Sequence, residues 1–180
     1  MEALKNALPD HAKDLKLNLA GLARPGALEE RAHFGALLAA ALAGGHADVI
    51  RELHALAAEH LTPEELTAVR IAADLMAMNN VYYRSLHLVE NDEYGQLPAR
   101  LRMQGLAGHG APKLDFEVWS LVVSAVNGCG MCLDSHERVL RQHGASSAVV
   151  QEAFRIAAIV NAVSASLRAD QVLRAGSPAA

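Results

Sequence analysis

An all-α fold is what three features of this 180-residue sequence predict. Hydrophobic residues make up 52% of it and charged residues 20%, the balance of a folded globular chain rather than a disordered one. Alanine and leucine dominate while aromatics are only 4%, which favours helices, because Ala and Leu head the helix scale and sheets want aromatic and β-branched residues. Apolar residues recur at helical spacing in segment after segment, and no segment insists on being a strand. A chain of this length can bury one core, so residues 1–175 are expected to form one domain, with 176–180 as a frayed tail.

The elements follow in order. After Pro9-Asp10, leucines at 15, 19 and 22 mark a helix that Pro25-Gly26 breaks. Leu28 to Leu42 reads as a second helix, closed by Gly44-Gly45, and Ala47 to about Glu59 as a third, with Val49, Leu53 and Leu56 on one stripe. Thr62-Pro63-Glu64-Glu65 is a strong start: Thr62 caps, Pro63 suits the first helical position, and Glu65 completes a capping box. That helix is expected to reach Met78, with a kink or break at Asn79-Asn80 before Val81 to Glu90. A polar, turn-rich stretch from Asn91 to Pro98 precedes a short helix at Ala99–Leu106 and a loop at Gly108–Pro112. Asp115 is expected to cap a helix to Val126, which Asn127-Gly128 ends. Cys129 to His143 is helical and stops at Gly144, and Ser146-Ser147 starts a last long helix with Val150, Phe154, Ala157 and Ala158 on one face. A shift of 48 residues lays Ala77-Met78-Asn79-Asn80 over Ala125-Val126-Asn127-Gly128, which suggests a duplicated helical unit with Val81 and Arg84 in the places of Cys129 and Cys132.

Sixteen basic against twenty acidic residues give a net charge of −4, and no stretch concentrates Lys and Arg into a face for nucleic acid. No apolar run approaches the roughly 20 uncharged residues of a membrane span, and the start Met1-Glu2-Ala3-Leu4-Lys5 lacks the apolar centre of a secretory signal. The expected compartment is the cytoplasm. There, a close cysteine pair is more often redox-active or metal-binding than structural, and both cysteines fall in Cys129-Gly130-Met131-Cys132.

On a helix Cys129 and Cys132 are i and i+3, and His136 is i+4 from Cys132, so the three share a face. Cys129 follows Asn127-Gly128 and should sit at a helix N-terminus, where free N–H groups and the dipole stabilise a thiolate. His136 one turn from Cys132 supplies a base or a cation. Glu117 lies on the preceding helix, and a tight break at Asn127-Gly128 could fold its carboxylate back toward His136. The same residues could instead be zinc ligands, with Glu117 the fourth; structural zinc sites usually draw on two separated pairs, and no second Cys or His pair stands at such a spacing. They could also be two small core residues and a surface acid. The helix-end argument favours Cys129 as the lower-pKa thiol, whereas the neighbouring His136 favours Cys132.

Glu117-x11-Cys129-x2-Cys132-x3-His136 resembles the signature of the alkyl hydroperoxidase D family, in the carboxymuconolactone decarboxylase-like superfamily. Leu114–Ser120, Ser124–Cys129 and Met78–Arg84 agree with it, and the likeness runs nearly the whole chain. The resemblance implies an all-helical fold on a repeated unit, a homotrimer, and a thiol peroxidase that reduces alkyl hydroperoxides with no bound cofactor. It implies dihydrolipoamide on a lipoylated 2-oxoacid dehydrogenase component as electron donor, and electron transfer to an alkyl hydroperoxide reductase C peroxiredoxin. By it, Cys132 becomes the sulfenic acid, Cys129 is proton donor and resolving thiol, and His136 and Glu117 relay the proton. A non-peroxidatic thiol–disulfide adaptor between those partners needs the same dithiol; a decarboxylase has no use for it. In one respect the chain departs from the family, which commonly has Ser-His between the cysteines where this chain has Gly130-Met131. The relay is then shorter, or completed by His87, His109 or His143, while Met131 could shape an apolar mouth. Histidines 11, 33, 46, 54 and 60 are expected at the surface or core edge, and Trp119, Met76 and Met78 in packing.

Overall fold

The segment Glu30–Gly44 has no polar face beyond its first turn, and a helix that is apolar all round must be enclosed by others. In the computed structural model, which describes residues 1–175, it is the central helix α3 of an all-helical fold. Two helices, α1 (Glu2–Ala7) and α2 (Lys13–Ala20), precede it. After it come α4 (Ala47–Ala58), α5 (Pro63–Leu88), the short α6 (Glu93–Gln96), a 3₁₀ turn at Gln104–Leu106, α7 (Lys113–Asn127), α8 (Gly130–Gln142) and α9 (Ser147–Ala175). Among the described residues there is no strand. Helices α4, α5, α7 and α9 all pack on α3. The tail 176–180, expected to fray, lies outside the described residues.

Close approach of α3 to α7 depends on Gly35. A Cβ there would come within 2.3 Å of the Trp119 indole, which is fully buried and donates its Nε1–H to the Ala32 carbonyl at 3.1 Å. Trp119 is core, as its position predicts. Helix α9 is long and apolar enough, by length and composition, to cross a membrane, yet half of that stretch is buried inside the fold. Its apolar residues Ile156, Val160 and Val163 belong to the core.

Several starts and stops agree with the sequence. Thr62 accepts from the Glu65 N–H at 3.2 Å while Glu65 accepts from the Thr62 N–H at 2.9 Å, which is the capping box. Gly45 and Gly128 adopt left-handed φ at the ends of α3 and α7, and Gly144 does so just after α8. Elsewhere the expectations fail for physical reasons. Asn79-Asn80 does not break α5, which runs on through both residues with their side chains buried. The polar stretch holds α6, while Ala99–Leu106 forms only the 3₁₀ turn. Pro112, not Asp115, is the N-cap of α7, and Asp115 in its first turn instead accepts from Arg31 of α3. On α9, Val150 and Ala157 are buried but Phe154 and Ala158 are exposed, the core stripe passing through Ile156 and Val160.

The histidines hold two further corrections. His46 is buried, and His33 is fully buried, its ring spanning the Leu22 carbonyl (3.0 Å) and the Glu152 carboxylate (3.3 Å). Glu152 of α9 also accepts from the backbone N–H groups of Gly26, Ala27 and Leu28, so one buried carboxylate ties the α2–α3 loop to the last helix. A Cβ on Gly26 would sit 2.7 Å from that carboxylate, so any larger residue there would have to displace it.

Burial raises the Glu152 pKa, but the three backbone N–H groups and His33 outweigh it and hold the group below its ordinary 4.5. A depressed folded-state pKa contributes stability that is present above the unfolded value and lost as pH falls through the folded one. Glu152→Gln should therefore cost roughly 2 kcal/mol at pH 7, the scale of hydrogen bonds to a charged group. It should also flatten the decline of stability below pH 4.5. Urea denaturation at neutral and acid pH checks this; parallel pH profiles for the two proteins would contradict it.

Candidate functional site

Helix α7 ends on Gly128, whose φ of +67° and ψ of 38° turn the chain sharply. Its N–H bonds the Ala125 carbonyl at 3.2 Å and the Cys129 N–H bonds the Ser124 carbonyl at 3.1 Å, so two of the last carbonyls of α7 are satisfied within the turn. Cys129 then becomes the N-cap of α8, with its Sγ accepting the Cys132 N–H at 3.3 Å. The sequence argument for a sulfur at a helix N-terminus thus holds in geometry.

A set of side-chain bonds from α5 holds this turn. Asn80 donates to the Ser124 hydroxyl at 3.0 Å and accepts from the Asn127 side chain at 3.0 Å, while Arg84 donates to the Asn127 carbonyl. The likeness between Ala77–Asn80 and Ala125–Gly128 ends here: the first copy continues as helix, and its Arg84, in the place of Cys132, braces the second. Sequence reasoning missed Asn80 and Arg84. The available signal was a pair of asparagines inside a long helical pattern, a poor choice there unless the side chains have work elsewhere.

Folding α8 back on α7 brings Glu117 and His136 together. The carboxylate lies 2.7 Å from His136 Nδ1, and both side chains are mostly buried, at 18% and 14% exposure. A carboxylate at Nδ1 fixes the proton on that nitrogen and leaves Nε2 as the basic one. Nε2 lies 3.2 Å from the thioether of Met76, which is buried in the core as its position predicts and packs against the imidazole. Cys129 and Cys132 are joined in a disulfide, with Cα atoms 5.3 Å apart. Cys129 is wholly buried, whereas Cys132 reaches an apolar cavity of about 340 Å³ that His136 also borders. Met76, Met103, Leu106 and Met131 supply most of its apolar lining, and Met131, between the cysteines, is 45% exposed at its edge. Among the described residues no three His, Cys, Asp or Glu side chains converge on a metal position.

Of the three histidines that could extend a relay, only His109 comes near. It lines a second cavity of about 510 Å³ together with Lys113, Glu117 and His136. Its ring stacks on Phe116 with centroids 3.9 Å apart, and its Nδ1 accepts the Ala111 N–H at 3.2 Å. Burial pushes its pKa below the ordinary 6.5, with the Glu117 charge pulling the other way. His143 is occupied by the Val139 carbonyl at 2.9 Å, and His87 is exposed near the end of α5.

The carboxymuconolactone decarboxylase family matches residues 92–175, the half that carries all four of these residues. A protein of Maricaulis maris named alkyl hydroperoxide reductase AhpD is 52% identical over 170 residues, covering 94% of this chain and 98% of its own. One of the same name from Bradyrhizobium sp. is 50% identical over 172 residues, 96% of this chain and 95% of its own. Another, from Streptomyces coelicolor, is 50% identical over 175 residues, 97% of this chain and 98% of its own.

Proposed function

Because the chain belongs to the AhpD family of alkyl hydroperoxide reductases, within the carboxymuconolactone decarboxylase-like superfamily, we propose that it is a thiol peroxidase working through Cys129 and Cys132. The observation that carries this reading is the Glu117–His136 pair at 2.7 Å beside an apolar cavity into which Cys132, and not Cys129, opens.

In the reduced protein His136 takes the Cys132 proton at Nε2, and Glu117 stabilises the imidazolium through Nδ1–H. The Cys132 thiolate attacks the distal oxygen of the hydroperoxide. An S–O bond forms, the O–O bond breaks, and the departing alkoxide takes its proton from His136 to leave as the alcohol. Cys129 then attacks the Cys132 sulfenic acid, closing the disulfide and releasing water. Its placement at the α8 N-terminus, with a backbone N–H on its sulfur, favours the thiolate that this step needs. An incoming dithiol reopens the disulfide by exchange and is itself oxidised. We take that dithiol to be dihydrolipoamide carried on a 2-oxoacid dehydrogenase component; the methionine-lined mouth is chemistry that suits an apolar, sulfur-bearing arm. A peroxiredoxin is the proposed alternative recipient of the electrons.

The purified protein, given dihydrolipoamide and an alkyl hydroperoxide but no peroxiredoxin, should consume the hydroperoxide catalytically. No consumption alone, with consumption restored by an added peroxiredoxin, would replace the peroxidase by a thiol–disulfide adaptor. The proposed assembly is a homotrimer, supported by the exposed apolar residues Val81, Leu88, Val89, Tyr94 and Leu97 at the end of α5 and in the segment after it. Light scattering should give about three times the 19.1 kDa chain mass, and a monomer at micromolar concentration would contradict it.

A further inference from the structure

Asn79 is a polar residue in the middle of a 26-residue helix, only 5% exposed. Asparagine is a poor helix former, and burying a carboxamide is costly unless its hydrogen bonds are made. The adjacent Asn80 makes them, to Ser124 and Asn127. Asn79 does not: its Oδ1 is buried with no hydrogen-bond partner. A buried orphan of this kind calls for a reason outside the fold.

Its place supplies one. Met76, Asn79 and Tyr83 lie at i, i+3 and i+7 along α5, one stripe that borders the cavity over Cys132. At the head of the stripe Met76 meets His136, so Asn79 stands one turn further along the wall that α5 presents to α8. The rest of the lining is largely apolar, which strengthens any hydrogen bond a carboxamide makes there. The reaction written above needs such a group. While the thiolate attacks the distal oxygen, negative charge grows on the proximal oxygen, and the hydroperoxide must be held with its O–O bond in line with Cys132 Sγ.

On the strength of the peroxidase reading, we propose that the Asn79 carboxamide is a catalytic residue that binds the hydroperoxide itself. Asn79 borders the cavity while its Oδ1 is enclosed, so the end of the carboxamide turned to the cavity is the amide N–H, which donates to the proximal oxygen as it becomes the alkoxide. His136 still delivers the proton, so the balance of the step is unchanged.

The test compares wild type with Asn79→Leu, which keeps the branched outline without its polar atoms and extends toward the cavity, and Asn79→Ser, a smaller polar variant. Each reduced protein is mixed with cumene hydroperoxide and, separately, with iodoacetamide at the same pH, and thiol loss is followed. The proposal expects both variants to react with the hydroperoxide roughly 10- to 100-fold more slowly, the scale of removing a donor from a developing oxyanion. Alkylation should stay within about twofold, because the thiolate itself is untouched. Asn79→Leu should melt no lower than wild type, since it removes an unpartnered buried polar group from a helix. Unchanged hydroperoxide rates would overturn the proposal, and so would hydroperoxide and alkylation rates that fall together, the mark of a structural role. Wild-type thiols that alkylate but ignore the hydroperoxide would overturn the peroxidase reading and this proposal with it. Reaction of wild type matched by both variants would overturn this proposal alone.

Discussion

The site rests on a backbone constraint at Gly128. With φ at +67°, a conformation side-chain-bearing residues rarely adopt, the chain leaves α7 and re-enters helix after a single further residue. Three consequences follow from that one turn. Cys129 becomes an N-cap, its sulfur facing a backbone N–H. Helix α8 packs back along α7, so that residues nineteen apart in sequence, Glu117 and His136, come within hydrogen-bonding distance. Cys132, one turn into α8, is carried to the cavity edge while Cys129 stays behind it. A straight helix through residue 128 would hold Glu117 roughly 28 Å from His136.

The turn is held from outside as well. Asn80 and Arg84, on the long helix α5, bond the last turn of α7, and Met76 on the same helix touches the imidazole. Helix α5 is thus both brace and wall. Its buried asparagines illustrate how a fold divides its polar residues: Asn80 is spent on the turn and stabilises it, whereas Asn79 is left without a partner at the edge of the cavity. Glu152 does for the α2–α3 loop what Asn80 does for the turn, by satisfying three backbone donors from a distant helix.

Much of this is legible in the sequence where the signal is local. The capping box at Thr62, the helix-ending glycines and the placing of Cys129 at a helix N-terminus depend on neighbours a few residues apart, and these survive in the structure. Glu117 is legible through the resemblance carried by Glu117-x11-Cys129-x2-Cys132-x3-His136, and Asn127-Gly128 announces a reversal that could return its helix face to His136. What escaped was decided by tertiary partners. Asn79-Asn80 resembles a break by propensity, yet the helix continues because α7 and the cavity take up those side chains. His33 resembles a surface histidine until α9 brings Glu152 to it across 119 residues. His109 could not be placed by spacing at all, since a loop carries it to Phe116 and Glu117.

In the proposed mechanism everything turns on Glu117 making His136 the base for Cys132. Substituting Glu117→Gln keeps the shape and a hydrogen bond but removes the charge that favours the imidazolium. The pH dependence of Cys132 alkylation by iodoacetamide, read by peptide mass spectrometry in both reduced proteins, tests the claim most directly. The predicted result is a profile displaced to higher pH in Glu117→Gln, with hydroperoxide turnover slower by about 100-fold, the usual worth of general acid–base assistance. Superimposable profiles with equal turnover would reduce Glu117 to an ordinary helix acid and contradict the account.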